Sequence, residues 1–203
     1  GLVPLSDEER ARVDAAYDQI ARSISAFEDS PASNAFSSKL DAVRAGQATF
    51  TDQELLGRDV FRGKGMCSAC HVGSPQGDPK PPLLTDFTFD NLGVPKNLAY
   101  PLDPNAPVDL GLGDVVGDEA ENGKFKVMTL RNIGQTEPYG HNGLFLTLKE
   151  ITHFYNTRDV ADWPEPEYAP TVNFDELGNL GLSDAHEDAL VAFMLTLDDG
   201  YQP

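Results

Sequence analysis

The chain has 203 residues, enough for one domain or two small ones, and 40% of them are hydrophobic, which is enough for a buried core. Its 33 acidic residues outnumber its 15 basic ones, for a net charge of −18. Such an acidic chain lacks the basic face of nucleic-acid binding proteins, so we expect no nucleic-acid partner, and a basic protein partner would be attracted. No apolar run approaches the roughly 20 residues of a membrane helix, so we also expect no membrane span.

Five helices are predicted, and four of them follow a polar residue that can cap a helix start. A serine or threonine there precedes an acidic residue, and apolar residues then recur every three or four positions. In chain order the capped starts are Ser6, Thr51, Thr147 and Ser183. The corresponding helices are expected to end near Pro31, the cysteine-containing segment, Tyr155 and Gly200. A further short helix is expected around residues 36–45.

Between Val72 and Phe125 the sequence predicts mostly irregular chain. Prolines are frequent there, and the stretch closes with the glycine-rich run GLGDVVGDEAENG. A segment this long without regular structure is uncommon in a compact domain unless something orders it, and a large prosthetic group would do so. We therefore expect an all-α fold with long irregular loops. An N-terminal helical segment, residues 1–45, is expected to pack on a domain formed by residues 46–203.

Both cysteines of the chain lie in the stretch GMCSACHVG, and His71 directly follows the second one. The spacing Cys-x-x-Cys-His is the attachment signature of c-type haem. In such a site Cys67 and Cys70 each bind a haem vinyl group as a thioether, and His71 binds the iron. A structural zinc site needs four ligands, usually in paired clusters, and a redox dithiol needs a βαβ context; the sequence offers neither. We therefore predict one covalently bound haem c.

The residue on the opposite side of the iron is not settled by spacing. Methionine is the usual partner of histidine in electron-transfer haems. Met66 adjoins Cys67 and can hardly reach the opposite face, Met194 is expected in the core of the last helix, and Met128 could reach the haem. The other candidate is Tyr155, which shares the inward face of the third capped helix with apolar residues.

The remaining histidines and the single tryptophan are expected to have structural roles. His153 points elsewhere on its helix than Tyr155, and His186 sits in an acidic helix start, so both are expected at the surface. His141 lies in a glycine-flanked turn, where a hydrogen bond to loop backbone or to a haem propionate is favoured over iron binding. Trp163 stands beside prolines and is expected to anchor a loop rather than to relay electrons.

Several stretches together resemble the C-terminal, electron-transfer haem domain of the bacterial di-haem cytochrome c peroxidases, the family that includes MauG. These stretches are LLGRDVFRGKGMCSACHVG, FDNLGV, GKFKVMTLRNIGQTEPYGHNG and TLKEITHFY. The resemblance covers nearly the whole chain and implies a class I cytochrome c-like helical domain around one c-type haem. The family's N-terminal haem domain, where peroxide is reduced, is expected to be absent from this chain.

The resemblance also implies a sixth iron ligand. Counted from the histidine of PYGHNG, Tyr155 takes the position of the methionine that binds the iron in the peroxidases. MauG is similar in having histidine and tyrosine on its six-coordinate haem. Tyr155 is therefore the first choice and Met128 the alternative. If Tyr155 does not bind the iron, we expect it to pack beside the porphyrin with its hydroxyl hydrogen-bonded to a propionate or to backbone.

Three further residues receive roles from the resemblance. Arg131 corresponds to the segment lining the haem edge, where a guanidinium pairs with a buried propionate; the alternative is a surface salt bridge. The backbone carbonyls of Thr136 and Pro138 correspond to carbonyls that bind calcium in the peroxidases. Calcium is therefore a second candidate cofactor.

Electron transfer is the favoured function, because no distal histidine–arginine pair for peroxide cleavage is recognisable. The expected partner is a redox protein or a second haem domain. The alternative is a peroxidase or oxidase acting on hydrogen peroxide, alone or with a second haem domain; a purely structural haem protein is a third reading. We expect a periplasmic or exported bacterial protein. Since the chain begins with Gly1 and shows no signal peptide, we expect it to have been processed or excised.

Overall fold

The computed structural model describes residues 4–73, 80–99 and 107–202. Its helices are α1 (Asp7–Glu28), α2 (Lys39–Arg44), α3 (Asp52–Arg62), α4 (Leu112–Val116), α5 (Leu148–Thr157) and α6 (Asp184–Leu195). Two short strands, β1 (Phe89–Asp90) and β2 (Phe125–Lys126), pair antiparallel. Single 3₁₀ turns lie at Cys67–Ala69, Glu119–Glu121 and Ile133–Gln135. The predicted helical fold class is confirmed, with one small sheet added.

Reciprocal capping explains where the predicted helices begin. In each case the capping hydroxyl accepts a hydrogen bond from the backbone three residues later, and the side chain there accepts one from the capping residue's own N–H. Two backbone donors that the helix leaves without partners are thereby satisfied. At α6 the partner of Ser183 is His186, although the sequence pointed to the acidic Asp184. The capping residues are Ser6, Ser38, Thr51, Thr147 and Ser183.

The stretch between residues 72 and 125 is largely irregular where it is described. Residues 74–79 and 100–106, which hold several of its prolines, lie outside the described residues. The short helix α4 was not predicted, because its sequence is rich in glycine. Two of these glycines flank the helix with positive φ, +58° at Gly111 and +69° at Gly117, a conformation that glycine adopts without steric cost.

The chain divides into two compact units between Phe36 and Ser37. The first unit contains α1. The second contains the elements from α2 onwards, including the two core clusters described below. The predicted division would place α2 in the N-terminal segment. That division into residues 1–45 and 46–203, with the first packing on the second, stays a prediction.

Helices α3 and α6 cross closely and form the first core cluster of the second unit. Gly57 of α3 lies directly against the backbone of α6. A Cβ atom added there would overlap the carbonyl oxygen of Ala189 and lie 2.8 Å from Cβ of Phe193. The buried residues of the cluster are Leu40, Val60, Phe61, Leu84, Leu182, Leu190, Phe193 and Leu197.

Helix α5 contributes the second core cluster. Phe154 is fully buried, and the ring of Trp163 packs edge-on against it with centroids 5.2 Å apart. The indole N–H of Trp163 donates to Oγ1 of Thr157 at 3.1 Å. These contacts hold the loop after α5 against the helix. Among the described residues, none of the helices is both long and apolar enough to cross a membrane.

Replacing Gly57 with alanine should destabilise the fold, because the added methyl group forces α3 and α6 apart. Overpacking of this kind costs about 1–3 kcal/mol of unfolding free energy. Urea denaturation of the holoprotein measures the loss. Gly73→Ala is the matched control, since a Cβ atom at Gly73 would meet nothing within 4 Å. Equal stability of the two variants would contradict the close crossing.

Candidate functional site

The segment from Cys67 to His71 forms one helical turn. The backbone N–H of His71 donates to the carbonyl of Cys67 at 2.9 Å. Residues three and four positions apart share a face of such a turn, and Cys67, Cys70 and His71 accordingly line the same cavity. The structure thus brings together the three residues that the motif singles out.

The imidazole of His71 is oriented by the backbone. Its Nδ1 lies 2.9 Å from the carbonyl oxygen of Leu84. Since a carbonyl can only accept a hydrogen bond, Nδ1 carries the proton, and the lone pair of the neutral ring is on Nε2. Burial lowers the pKa of His71, although the nearby carbonyls of Leu84 and Met128 and the carboxylate of Asp86 act in the opposite sense. A histidine fixed through one nitrogen in this way can offer the other to a metal.

The surroundings of the two thiols disfavour their ionised form. Burial raises the pKa of Cys67 to about 12. The pKa of Cys70 rises to about 11, through burial first and then through the negative charges of Glu176, Asp90 and Asp86. Reactive and metal-binding cysteines have lowered pKa values instead. Burial and nearby negative charge therefore favour the protonated form of both thiols.

The cavity next to this turn has a volume of about 710 Å³. Sites for cofactors and other small molecules typically measure about 300–1,000 Å³ and are mostly apolar. Here the lining is largely aliphatic and aromatic, with polar groups at few points. Apolar lining residues include Phe61, Leu92, Val94, Leu130, Leu148, Ile151, Leu180 and Met194. The size, the apolar lining and the donor set all fit a porphyrin held through Cys67, Cys70 and His71.

Tyr155 projects into the cavity from α5, together with Leu148, Ile151 and Thr152. Burial raises the pKa of its phenol, and the neighbouring Cys67, Cys70 and Asp90 raise it further. The phenol therefore lies within electrostatic reach of both cysteines. The inward orientation expected from helical spacing agrees with this placement.

All three methionines also line the cavity. Met128 is 60% exposed, and its backbone carbonyl is close enough to His71 to raise the pKa of that imidazole. The backbone of Met128 therefore lies near His71, and iron binding by its side chain stays a prediction. Met66 is 42% exposed, and Met194 packs against the second core cluster.

Arg131 lines the cavity, but its guanidinium is held by an ion pair. Its Nη1 and Nη2 donate to the two carboxylate oxygens of Asp41 at 2.6 and 3.0 Å. Its Nε donates to the carbonyl of Pro82 at 2.8 Å, and Nη1 also reaches Oγ of Ser38 at 3.1 Å. A propionate would therefore share this guanidinium with Asp41. The propionate role of Arg131 stays a prediction.

Thr136, Pro138 and His141 also lie along the cavity wall. The Nε2 atom of His141 is 2.9 Å from a carboxylate oxygen of Glu167, and the ring stacks on Phe125 with centroids 3.8 Å apart. The histidine thus bonds a carboxylate rather than loop backbone. Calcium binding by the carbonyls of Thr136 and Pro138 stays a prediction.

Two carboxylates near Cys70 were not identified from the sequence. Among the described residues, Cys70, Asp90 and Glu176 place their ligand atoms within 4.8 Å of one another. The amide of Asn173 donates to Asp90 at 2.6 Å and to Glu176 at 2.7 Å, which holds the two side chains together. Asp90 stands in FDNLGV, but Glu176 comes from a distant loop, so no local pattern could have paired them.

No protein-family model matches the chain. The methylamine utilization protein MauG of Paracoccus denitrificans is 36% identical over 219 aligned residues, covering 98% of this chain and 55% of that protein. The cytochrome-c peroxidase IdrP2 of Denitromonas iodatirespirans is 32% identical, with 76% of this chain and 42% of that protein covered.

A solved structure agrees with these matches. The diheme peroxidase BthA from Burkholderia thailandensis superposes with a TM-score of 0.71 at 34% identity, covering 81% of this chain and 46% of that one. The chain therefore spans about half the length of the relatives that it matches.

Replacing Asp41 with asparagine should destabilise the protein, because the side chain of Arg131 is only 8% exposed and would lose its charged partner. Hydrogen bonds to charged groups contribute about 1.5–3 kcal/mol, and we expect a loss in this range near neutral pH. Urea denaturation measures it. Asp14→Asn, which changes an exposed carboxylate of α1, is the control.

The same ion pair predicts a pH dependence. Burial tends to raise the pKa of Asp41, but hydrogen bonds from Arg131 and Ser38 outweigh it and hold the pKa below its ordinary value of 3.8. The stabilisation is therefore fully present above pH 3.8 and is lost as the pH falls through the lower folded-state pKa. Asp41→Asn should lack this acid-dependent part. If the free energy of unfolding falls equally with decreasing pH in the parent chain and in Asp41→Asn, the pairing is contradicted.

Proposed function

The chain belongs to the family of MauG and the di-haem cytochrome c peroxidases, and from this membership we propose that it is the electron-transfer haem domain of such a protein. The family membership itself was predicted from the cysteine motif together with three further stretches of the sequence, and it is confirmed. Because the chain spans about half the length of its relatives, we do not assign it the activity of a whole enzyme. We assign it the C-terminal haem domain, which its sequence stretches resemble.

One observation carries the proposal: Cys67, Cys70, His71 and Tyr155 line a single apolar cavity. Cys67 and Cys70 would bind the haem through thioethers, and Nε2 of His71 would bind the iron. Tyr155 would supply a further iron ligand, since it packs against the second core cluster whereas Cys67 packs against the first. Bound haem c supplies a reversible one-electron change at its iron.

Tyr155 is favoured over Met128 as the sixth ligand. The side chain of Met128 is 60% exposed, whereas burial raises the pKa of the Tyr155 phenol inside the cavity. A phenolate is a hard, anionic oxygen donor that stabilises ferric over ferrous iron. With both axial positions filled by His71 and Tyr155, hydrogen peroxide would find no open position on this haem.

The partner in electron transfer would be a second haem domain or a redox protein. The net charge of −18 would attract a partner with a basic face. Peroxide reduction, as in the peroxidase relatives, is assigned to the second haem domain in this proposal.

The proposed location is the periplasm. Propionate binding by Arg131 and calcium binding at Thr136 and Pro138 complete the proposal.

The chain should carry covalently bound haem when it is produced with a c-type maturation system. Its intact mass should rise by one haem, and acidified acetone should not extract the colour, since Cys67 and Cys70 form thioethers. The double variant Cys67→Ala/Cys70→Ala has no cysteine left and should release its haem under the same treatment. Release of the colour from the parent chain would contradict the proposal.

Replacing Tyr155 with phenylalanine should remove the phenolate-to-iron absorption band and change the ferric EPR spectrum. The midpoint potential should rise by more than about 100 mV, within the roughly 0.8 V range over which axial ligands set haem potentials. Met128→Leu is the matched control and should keep the parent spectrum and potential. If only Met128→Leu changes them, Met128 is the ligand, and no change in either variant excludes both.

A further inference from the structure

Helix α6 carries a carboxylate that is almost completely buried. Glu187 is 2% exposed, although glutamate is rarely buried without partners. Its Oε1 accepts hydrogen bonds from Nδ1 of His153 at 3.0 Å and from Nδ2 of Asn156 at 2.7 Å. Its Oε2 lies 3.2 Å from Nζ of Lys149. One buried anion on α6 thus binds side chains from three positions of α5.

These three positions form a single stripe along α5. Lys149, His153 and Asn156 are spaced by four and three residues, so they lie above one another on one side of the helix. Asn156 is further fixed by the backbone of Leu182, donating to its carbonyl at 3.0 Å and accepting from its N–H at 2.8 Å. The stripe therefore ties α5 to the start of α6 over two helical turns.

A second stripe of α5 faces the cavity. Its members Leu148, Thr152 and Tyr155 each come one residue before a member of the first stripe. One residue corresponds to a rotation of about 100° around an α-helix. The two stripes are therefore rigidly related, and any rotation of α5 that moves Tyr155 also moves the donors away from Glu187.

We propose that Glu187 is a positioning residue, which fixes the rotation and the height of α5 so that the hydroxyl of Tyr155 meets the haem iron. This inference rests on the proposed role of Tyr155 as sixth ligand. A shift of α5 in either direction breaks hydrogen bonds to a buried carboxylate, which is costly. An apolar core contact between the helices would resist such a shift less, because it has no fixed direction.

Stability alone does not account for this arrangement. Replacing buried ionic groups by apolar residues of similar volume is often neutral or stabilising. Burial tends to raise the pKa of Glu187, yet hydrogen bonds from Asn156, His153 and Lys149 outweigh it and lower the pKa. The site is thus built for an ionised carboxylate with directed bonds, as a positioning role requires.

The test compares Glu187→Ala with Asp188→Asn in the holoprotein. Asp188 is the neighbouring carboxylate, which contacts Lys149 from an exposed position. In Glu187→Ala we expect a broadened ferric EPR spectrum, a weaker phenolate-to-iron band and roughly tenfold faster cyanide binding, the ratio that corresponds to about 1.4 kcal/mol. Asp188→Asn should match the parent in all three measurements. A merely structural role would lower the unfolding free energy and leave the haem spectra unchanged.

Glu187→Gln serves as the conservative variant, since its amide oxygen can still accept from Asn156. Its EPR line width, phenolate-to-iron band and rate of cyanide binding should lie between those of the parent and Glu187→Ala. If the alanine variant does not fold, Glu187→Gln is used for the comparison instead. Parent-like spectra and cyanide rates in the folded Glu187 variants would overturn the positioning role. If Tyr155→Phe changes the spectrum but the Glu187 variants do not, only this inference fails. If Tyr155→Phe changes nothing, the proposed ligand itself is wrong.

Discussion

The hydrogen bond from the backbone N–H of His71 to the carbonyl of Cys67 is the constraint on which the site depends. It closes the turn that directs two thiols and an imidazole into one cavity. The contact between Nδ1 and the carbonyl of Leu84 then sets the plane of the imidazole. If His71 binds the haem iron as proposed, the backbone sets the direction of that ligand, and a second ligand must be positioned by other elements of the fold.

Helix α6 is the common reference for both sides of the proposed haem. Its Ala189 and Phe193 pack against Gly57 of α3, and α3 leads into the cysteine turn. Its Glu187 binds the stripe of donors on α5, the helix that carries Tyr155. Helix α3, which leads into the cysteine turn, and helix α5, which carries Tyr155, thus both pack against α6. The loop around Leu84 also contributes, because the carbonyl of Leu84 orients the imidazole of His71.

Features encoded within a few residues could be predicted from the sequence. The capping pairs at Ser6, Thr51 and Thr147 and the cysteine–histidine spacing are of this kind, because each depends on neighbours along the chain. The inward direction of Tyr155 followed from helical periodicity for the same reason.

Contacts between distant segments could not be predicted. The carbonyl of Leu84 has no side-chain signature, and the pairing of Asp41 with Arg131 joins residues far apart in the chain. The fold alone brings Glu176 near Cys70 and Glu187 under α5. Helix α4 was missed because glycines, which usually argue against a helix, here form its two ends.

The close crossing at Gly57 carries a consequence for evolution, since it ties a backbone position in α3 to the placement of the cysteine turn that follows. Homologous chains that retain this crossing should favour glycine there, so a recurrent glycine on the helix before the motif would mark distant homologues that share this architecture.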